Sequence, residues 1–335
     1  MASKRSPAER LDAAIEAMLG ALPAEPELQP GTALAQLLAV AEALRELPRA
    51  DFRNTLRSEL QRRTAMNEGA ATSPASAAPG RHFVRPGFNN IAPYIVVEGA
   101  AGLIDFLVSG LAGEERFRVP RPDGLIMHAE VGVGDSVIEV ADANASYAAR
   151  ATAIHLYVED ADATYERAVR AGATPVDAVS DQPWGDRQGT VRDRFGNVWY
   201  IGMPKGWTPG PEGLRSVQPF LHLEGAHRMI AFAAAAFGAE ASGVATSREG
   251  KVLHATIHMG YATMETNEAH GVGVMPACLH VYFPDVDAVY AAALRAGAVS
   301  LEAPADKGYG DRSAIVSDPF GNTWFLATYL GPGTA

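Results

Sequence analysis

The sequence predicts an α+β protein: tandem, paired βαβββ domains preceded by a small helical N-terminal segment. The first of three supporting observations is an internal repeat. Residues 151–202 return as residues 276–327, with His155 answering His280, Asp186-Arg187 answering Asp311-Arg312, Asp193 answering Asp318 and Trp199 answering Trp324, all 125 positions apart. Upstream the offset is 126, and it joins Pro93 to Pro219, Phe106 to Phe232, His128 to His254 and Glu139 to Glu265. A repeat of this length is a usual domain size. The second observation is the alternation, inside each copy, of period-2 apolar stretches with helical ones. The third is the pair of turn sequences Asp-Arg-Phe-Gly-Asn and Asp-Pro-Phe-Gly-Asn, which close a final hairpin in each copy.

Residues 1–66 read differently from the rest. Leu34, Leu37, Leu38, Ala41, Leu44 and Leu47 recur at helical spacing, with Thr32 as a cap and Pro48 as the stop. An earlier helix is expected over 7–20, and Arg49, Arg53 and Arg57 line one face at i, i+4, i+8. Such a stripe suits a solvated face more often than an acidic partner. Residues 67–87 form a linker rich in small and polar residues. The first domain spans 88–202, a connector rich in Pro and Gly covers 203–216, and the second domain spans 217–330. Within the first, the pattern gives a strand at 91–97, a helix at about 100–111, and a hairpin over 126–141 turning at Gly134-Asp135. A strand at 153–158 follows, then a helix over 160–171 that stops at Gly172. The second domain repeats the scheme.

Bulk properties narrow the function classes. The net charge of −11 argues against nucleic acid and anionic membranes as partners. The one cysteine, Cys278, rules out an intrachain disulfide and suits a reducing, cytoplasmic setting. No apolar run reaches about 20 residues, so no membrane span is expected.

Strand parity separates a polar face from an apolar one. In the first hairpin His128, Glu130 and Glu139 share a face, and Val131, Val133, Ile138 and Val140 share the other. In the second, His254, Thr256, His258, Thr263, Glu265 and Asn267 oppose Ile257, Met259 and Met264. By the same parity Trp199 and Trp324 belong to the core, whereas Tyr200 and Phe325 do not.

The phrases YVEDADATYERAVRAGA and FPDVDAVYAAALRAGA, then WGDR or YGDR, then the D-(P/R)-F-G-N-x-W turn, resemble the vicinal oxygen chelate superfamily. That group includes glyoxalases, bleomycin-resistance-type binding proteins and extradiol dioxygenases. The resemblance covers residues 88–330 and implies strands curled around a cleft with helices outside. It also carries over four ligand positions. In the second copy they fall on Gln218, Glu265, Cys278 and Phe325, with His222 and His280 on the same faces. In the first copy they fall on Ala92, Glu139, Ala153 and Tyr200, with His155 nearby. The last position, a carboxylate in superfamily enzymes, is aromatic in both copies, which argues against glyoxalase-type isomerisation.

The expected metal site therefore lies in the second copy, where Glu265, His280, His222 and Gln218 would hold Fe²⁺, Zn²⁺ or Mn²⁺; otherwise no cofactor is expected. The expected ligand cleft is lined by Tyr94, His128, Glu139, His155, Tyr157, Tyr200, Phe220, His254, His258, Tyr282 and Phe325, with Arg187 and Arg312 at its mouth. Three functions compete: a binding protein for planar or apolar small molecules, a metal-dependent lyase, isomerase or oxygenase, and a ligand-sensing regulatory module. Expected partners are a small-molecule ligand, a second copy of the chain and a protein contacting the N-terminal helices.

Overall fold

The computed structural model describes residues 83–204 and 215–333. The helices expected within 1–66, the linker to residue 82 and most of the 203–216 connector lie outside the described residues. The first repeat runs β1 (Ile91–Val97), α1 (Ala100–Leu111), β2 (Glu114–Pro120), β3 (Ile126–Val133), β4 (Ser136–Asp142), β5 (Ala153–Tyr157), α2 (Ala161–Arg170), β6 (Thr174–Asp181), β7 (Arg187–Arg192) and β8 (Val198–Met203). The second runs β9 (Val217–Leu223), α3 (Ala226–Phe237), β10 (Glu240–Thr246), β11 (Val252–Met259), β12 (Ala262–Glu268), β13 (Cys278–Tyr282), α4 (Val286–Arg295), β14 (Val299–Asp306), β15 (Asp311–Ser317) and β16 (Thr323–Tyr329).

Local chemistry sets these boundaries. Asp160 and Asp285 cap α2 and α4 by accepting from Ala163 N at 2.9 Å and Ala288 N at 3.0 Å. The other two helices start on Gly99 and Gly225, both in the left-handed region. Their first N–H groups are satisfied from a distance: Asp142 accepts from Gly99 N and Ala100 N, and Glu268 from Gly225 N and Ala226 N. The turn motif is a structural clamp. Asp193 accepts from the backbone of Phe195 and Asn197 and from the indole of Trp199; Asp318 does the same for Phe320, Asn322 and Trp324. Both indoles are fully buried, as parity predicts, and truncating either to Ala would cost about 3–5 kcal/mol.

Cores and sheets divide the chain differently. One apolar core joins α1 and α2 to the outer faces of first-repeat strands, including Ile95, Ile154 and Trp199; the other joins α3 and α4 to Leu221, Leu279 and Trp324. Each eight-stranded sheet, by contrast, draws on both repeats. One has the order β14-β15-β16-β13-β1-β4-β3-β2, the other β10-β11-β12-β9-β5-β8-β7-β6. The antiparallel seams are β1–β13, with Ala92 opposite His280, and β5–β9, with His155 opposite Gln218. The βαβββ module of β1–β4 thus meets that of β13–β16, and the module of β5–β8 meets that of β9–β12.

Candidate functional site

The face of each sheet turned away from the helices carries the residues expected to line a cleft, called A and B below, and register fixes their places. In cleft A, Glu139 pairs with Tyr94 across β4–β1, and His280 pairs with Phe325 across β13–β16. In cleft B, Glu265 pairs with Phe220 across β12–β9, and His155 with Tyr200 across β5–β8. Each cleft therefore holds one carboxylate, one histidine, one phenol and one phenyl ring in matching places, with tyrosine and phenylalanine exchanged between them.

In cleft A, His280 Nδ1 lies 2.9 and 3.1 Å from the two oxygens of buried Glu139. Burial alone would lower the imidazole's pKa, but the charge and hydrogen bond of Glu139 outweigh it, and the net shift is upward. Tyr282 donates to Asp311 at 3.2 Å, and burial pushes the Asp311 carboxyl up. His128 lies between Tyr94 (3.3 Å) and Glu130 (3.4 Å), and Arg85 donates to the same Glu130 oxygen at 2.9 Å. Tyr94 stacks on Phe325 with centroids 4.9 Å apart, and Tyr147 and Phe88 extend the aromatic lining toward Phe325 and His280.

In cleft B, Glu265 is 2 % exposed and meets three partners: it accepts from His155 Nδ1 at 3.0 Å and Tyr157 Oη at 3.1 Å, and His254 Nε2 lies in ion-pair range at 3.6 Å. Burial raises this carboxyl, but His155 and His254 outweigh it and hold it well below the usual range. Glu265 in turn raises His254. His222 sits in a neutral chain: its Nδ1 meets Asn267 Oδ1 at 2.6 Å and its Nε2 meets Tyr200 Oη at 3.2 Å. Burial lowers the His222 pKa to about 4, and burial likewise pushes the Tyr200 phenol up to about 12. Phe220 packs between Tyr200 and His222 at 5.3 and 4.4 Å.

Several sequence expectations need correction here. Glu265 and His280 do not meet, because they belong to different sheets; His280 serves Glu139 and His155 serves Glu265. Gln218 pairs with the Thr263 hydroxyl rather than converging on Glu265, and His222 is committed to Asn267 and Tyr200. The four residues expected to hold a metal therefore do not form one shell. Among the described residues no group of three or more His, Cys, Asp or Glu side chains is arranged to hold a metal ion. Arg187 and Arg312 are also engaged elsewhere. Arg187 bridges Asp162 in the first turn of α2 (2.7 Å) and Asp181 on β6; Arg312 bridges Asp287 of α4 (2.8 Å) and Asp306 of β14. These arginines tie helix to strand and are not anion clamps. His258 is exposed and contacts Ser242 at 2.6 Å, away from Glu265. Tyr94, His128, Glu139, Tyr282 and Phe325 come together in cleft A, and His155, Tyr157, Tyr200, Phe220 and His254 in cleft B. Sequence reading missed Arg85, Phe88 and Tyr147 of cleft A, which precede the first strand or sit in a loop and carry no periodic signal, and Asn267 as the partner of His222.

Comparison with known proteins supports this frame. The family model for the Glyoxalase/Bleomycin resistance protein/Dioxygenase superfamily matches residues 87–201. The uncharacterised protein Mb0911c of Mycobacterium bovis is 39 % identical over 125 residues, which is 34 % of this chain and 82 % of that protein. Rv0887c of Mycobacterium tuberculosis, also uncharacterised, is 39 % identical over 125 residues, 74 % of its length. Glyoxalase I from Zea mays has a similar fold, with a TM-score of 0.55 and 15 % identity, covering 71 % of this chain and 92 % of that one.

Proposed function

Because the chain belongs to the Glyoxalase/Bleomycin resistance protein/Dioxygenase superfamily, we propose that it is a small-molecule-binding protein whose two clefts take planar, largely apolar ligands and sequester them in the cytoplasm. The observation that carries this reading is the aromatic pair at the heart of each cleft: Tyr94 with Phe325, and Phe220 with Tyr200. Phe325 and Tyr200 stand where the resemblance calls for a metal-binding carboxylate. A ring there supplies a flat apolar surface, worth roughly 0.5–1.5 kcal/mol per good aromatic contact beyond area burial. The carboxylates that remain are bonded directly to histidines. Among the described residues no three such side chains are arranged to hold a divalent ion, so no metal-assisted step is part of the proposal.

Titration with a planar aromatic probe such as naphthalene-2-carboxamide, followed by calorimetry, tests it. Saturable binding is expected, and Phe325→Ala should weaken binding in cleft A by about fivefold, equivalent to ~1 kcal/mol, with the fold retained. Stoichiometric Fe²⁺, Zn²⁺ or Mn²⁺ in protein purified without chelator or affinity tag, or turnover of a glutathione–methylglyoxal adduct, would favour the metalloenzyme reading instead.

A further inference from the structure

Two polar atoms converge at one end of cleft B without partners. His155 is 7 % exposed, and neither its Nε2 nor Gln188 Oε1 makes a hydrogen bond, although both atoms are buried. Both flank Gly202 on β8: a Cβ placed there would lie 2.9 Å from His155 Nε2 and 3.7 Å from Gln188 Oε1. Gly202 sits between Gln188 and Tyr157 in the ladder, so all four positions share the cleft face. Its backbone has no positive φ that would require glycine. The second repeat places Ala327 at the matching position, fully buried between Ser313 and Tyr282. The strand geometry thus accepts alanine. Glycine at 202 instead keeps open the ground beside His155, and in cleft A the counterpart of Gln188 is Ser313, whose hydroxyl meets Tyr309 at 3.5 Å.

The chemistry of these atoms selects a ligand group. A hydrogen on His155 Nδ1, shared with Glu265 at 3.0 Å, makes Nε2 of an uncharged imidazole the acceptor. Gln188 Oε1 is an acceptor as well. One group carrying two hydrogens would satisfy both. A carboxylate would bring only lone pairs, and its charge would meet that of Glu265. We propose that this end of cleft B is a subsite for the NH₂ of a primary amide or amine carried by a flat ligand. The inference rests on the reading of the clefts as sites for planar ligands, and extends it to the ligand's polar end.

The test uses the full chain, ¹⁵N-labelled at histidine, with three probes that share one ring system: 2-naphthamide, methyl 2-naphthoate and 2-naphthoate. The amide should bind about tenfold more tightly than the ester, the ratio expected for a buried hydrogen bond made by one and lost by the other. It should also shift the His155 Nε2 resonance. Gly202→Ala, whose methyl carbon would lie 2.9 Å from His155 Nε2, should erase that preference, and a preference retained by the variant would overturn the subsite. Equal affinities for amide and ester with an unmoved His155 signal would mean that water serves these atoms, and would overturn the subsite while leaving planar-ligand binding intact. Tightest binding of 2-naphthoate would overturn the assignment of a donor group. Failure of all three probes to bind would overturn both the subsite and the proposed function.

Discussion

Clefts A and B are built from equivalent modules, yet they spend the same residues differently. In cleft B, the histidine of the fifth strand, the tyrosine two residues later and the histidine of the hairpin all converge on Glu265. In cleft A the same three positions part: His280 goes to Glu139, Tyr282 to Asp311 and His128 to Glu130. The divergence traces to a few substitutions. Glu130 stands where cleft B has Thr256 and gives His128 a carboxylate of its own, and Arg85 steadies that carboxylate. Glu265 is therefore a saturated node, whereas Glu139 answers to one partner. A buried anion held by two hydrogen bonds and an ion pair is a rigid structural element, because removing it strips the buried His155 Nδ1 of its hydrogen bond.

The most direct way to break this comparison is to remove each carboxylate. Glu265→Ala should cost about 3–5 kcal/mol of folding stability, as expected when one partner of a buried charged cluster is lost. Glu139→Ala should cost about 1–3 kcal/mol, since it orphans only His280. Urea denaturation measures both, and equal losses would mean that the clefts are energetically equivalent.

Acid and alkali should separate the clefts next. His222 has a folded pKa of about 4, below its ordinary 6.5. It therefore favours the folded state above pH 6.5 and loses that contribution as the pH falls from 6.5 through 4, by about 3 kcal/mol at most. His280 has the opposite sign. Its raised pKa stabilises the fold below 6.5, and the contribution disappears as the pH rises through the folded value. Thermal melts across pH 4–9 should show His222→Gln flattening the acid limb and His280→Gln flattening the alkaline limb. Either variant acting on the other limb would contradict these assignments.

The smallest expected effect sharpens the comparison. Thr256→Glu gives cleft B the carboxylate that cleft A has at Glu130. It should draw His254 away from Glu265 and change stability by less than about 1 kcal/mol, because Thr256 is only half-buried. The His254 ring resonances report the move, and an unchanged spectrum would mean that position 256 does not direct the histidine.

The modules themselves were readable from sequence; the partners of their edge strands were not. The hairpin turning at Gly134-Asp135, with Glu130 opposite Glu139, follows from alternation and turn chemistry, and the ladder has that register. The burial of Trp199 and Trp324 follows from parity. The grouping of Glu265 with His280 failed for a physical reason. His155 and His280 occupy equivalent places on near-identical strands, so local pattern gives either the same claim on Glu265. The choice is made by the β5–β9 and β1–β13 seams, which depend on how the two helical cores are joined. Of the two roles open to Arg187 and Arg312, holding an anion or fixing local structure, the ion pairs match the second, although an Asp-Arg dipeptide does not disclose that Asp162 and Asp287 lie within reach across a helix start.

The crossed sheets also put the two clefts on different schedules during synthesis. By Glu268 the growing chain contains every strand of the sheet around cleft B, from β5 to β12, and none of β13–β16. Cleft A stays half-made, with β1 lacking its seam partner until β13 emerges and the cleft lacking Phe325 until the last strand, β16. An unpaired inner strand is a template for association with a stranger. The first-formed β1 is thus the segment a ribosome-bound chain most needs to shield, and a chain that stops before Cys278 would carry one finished cleft and one exposed edge.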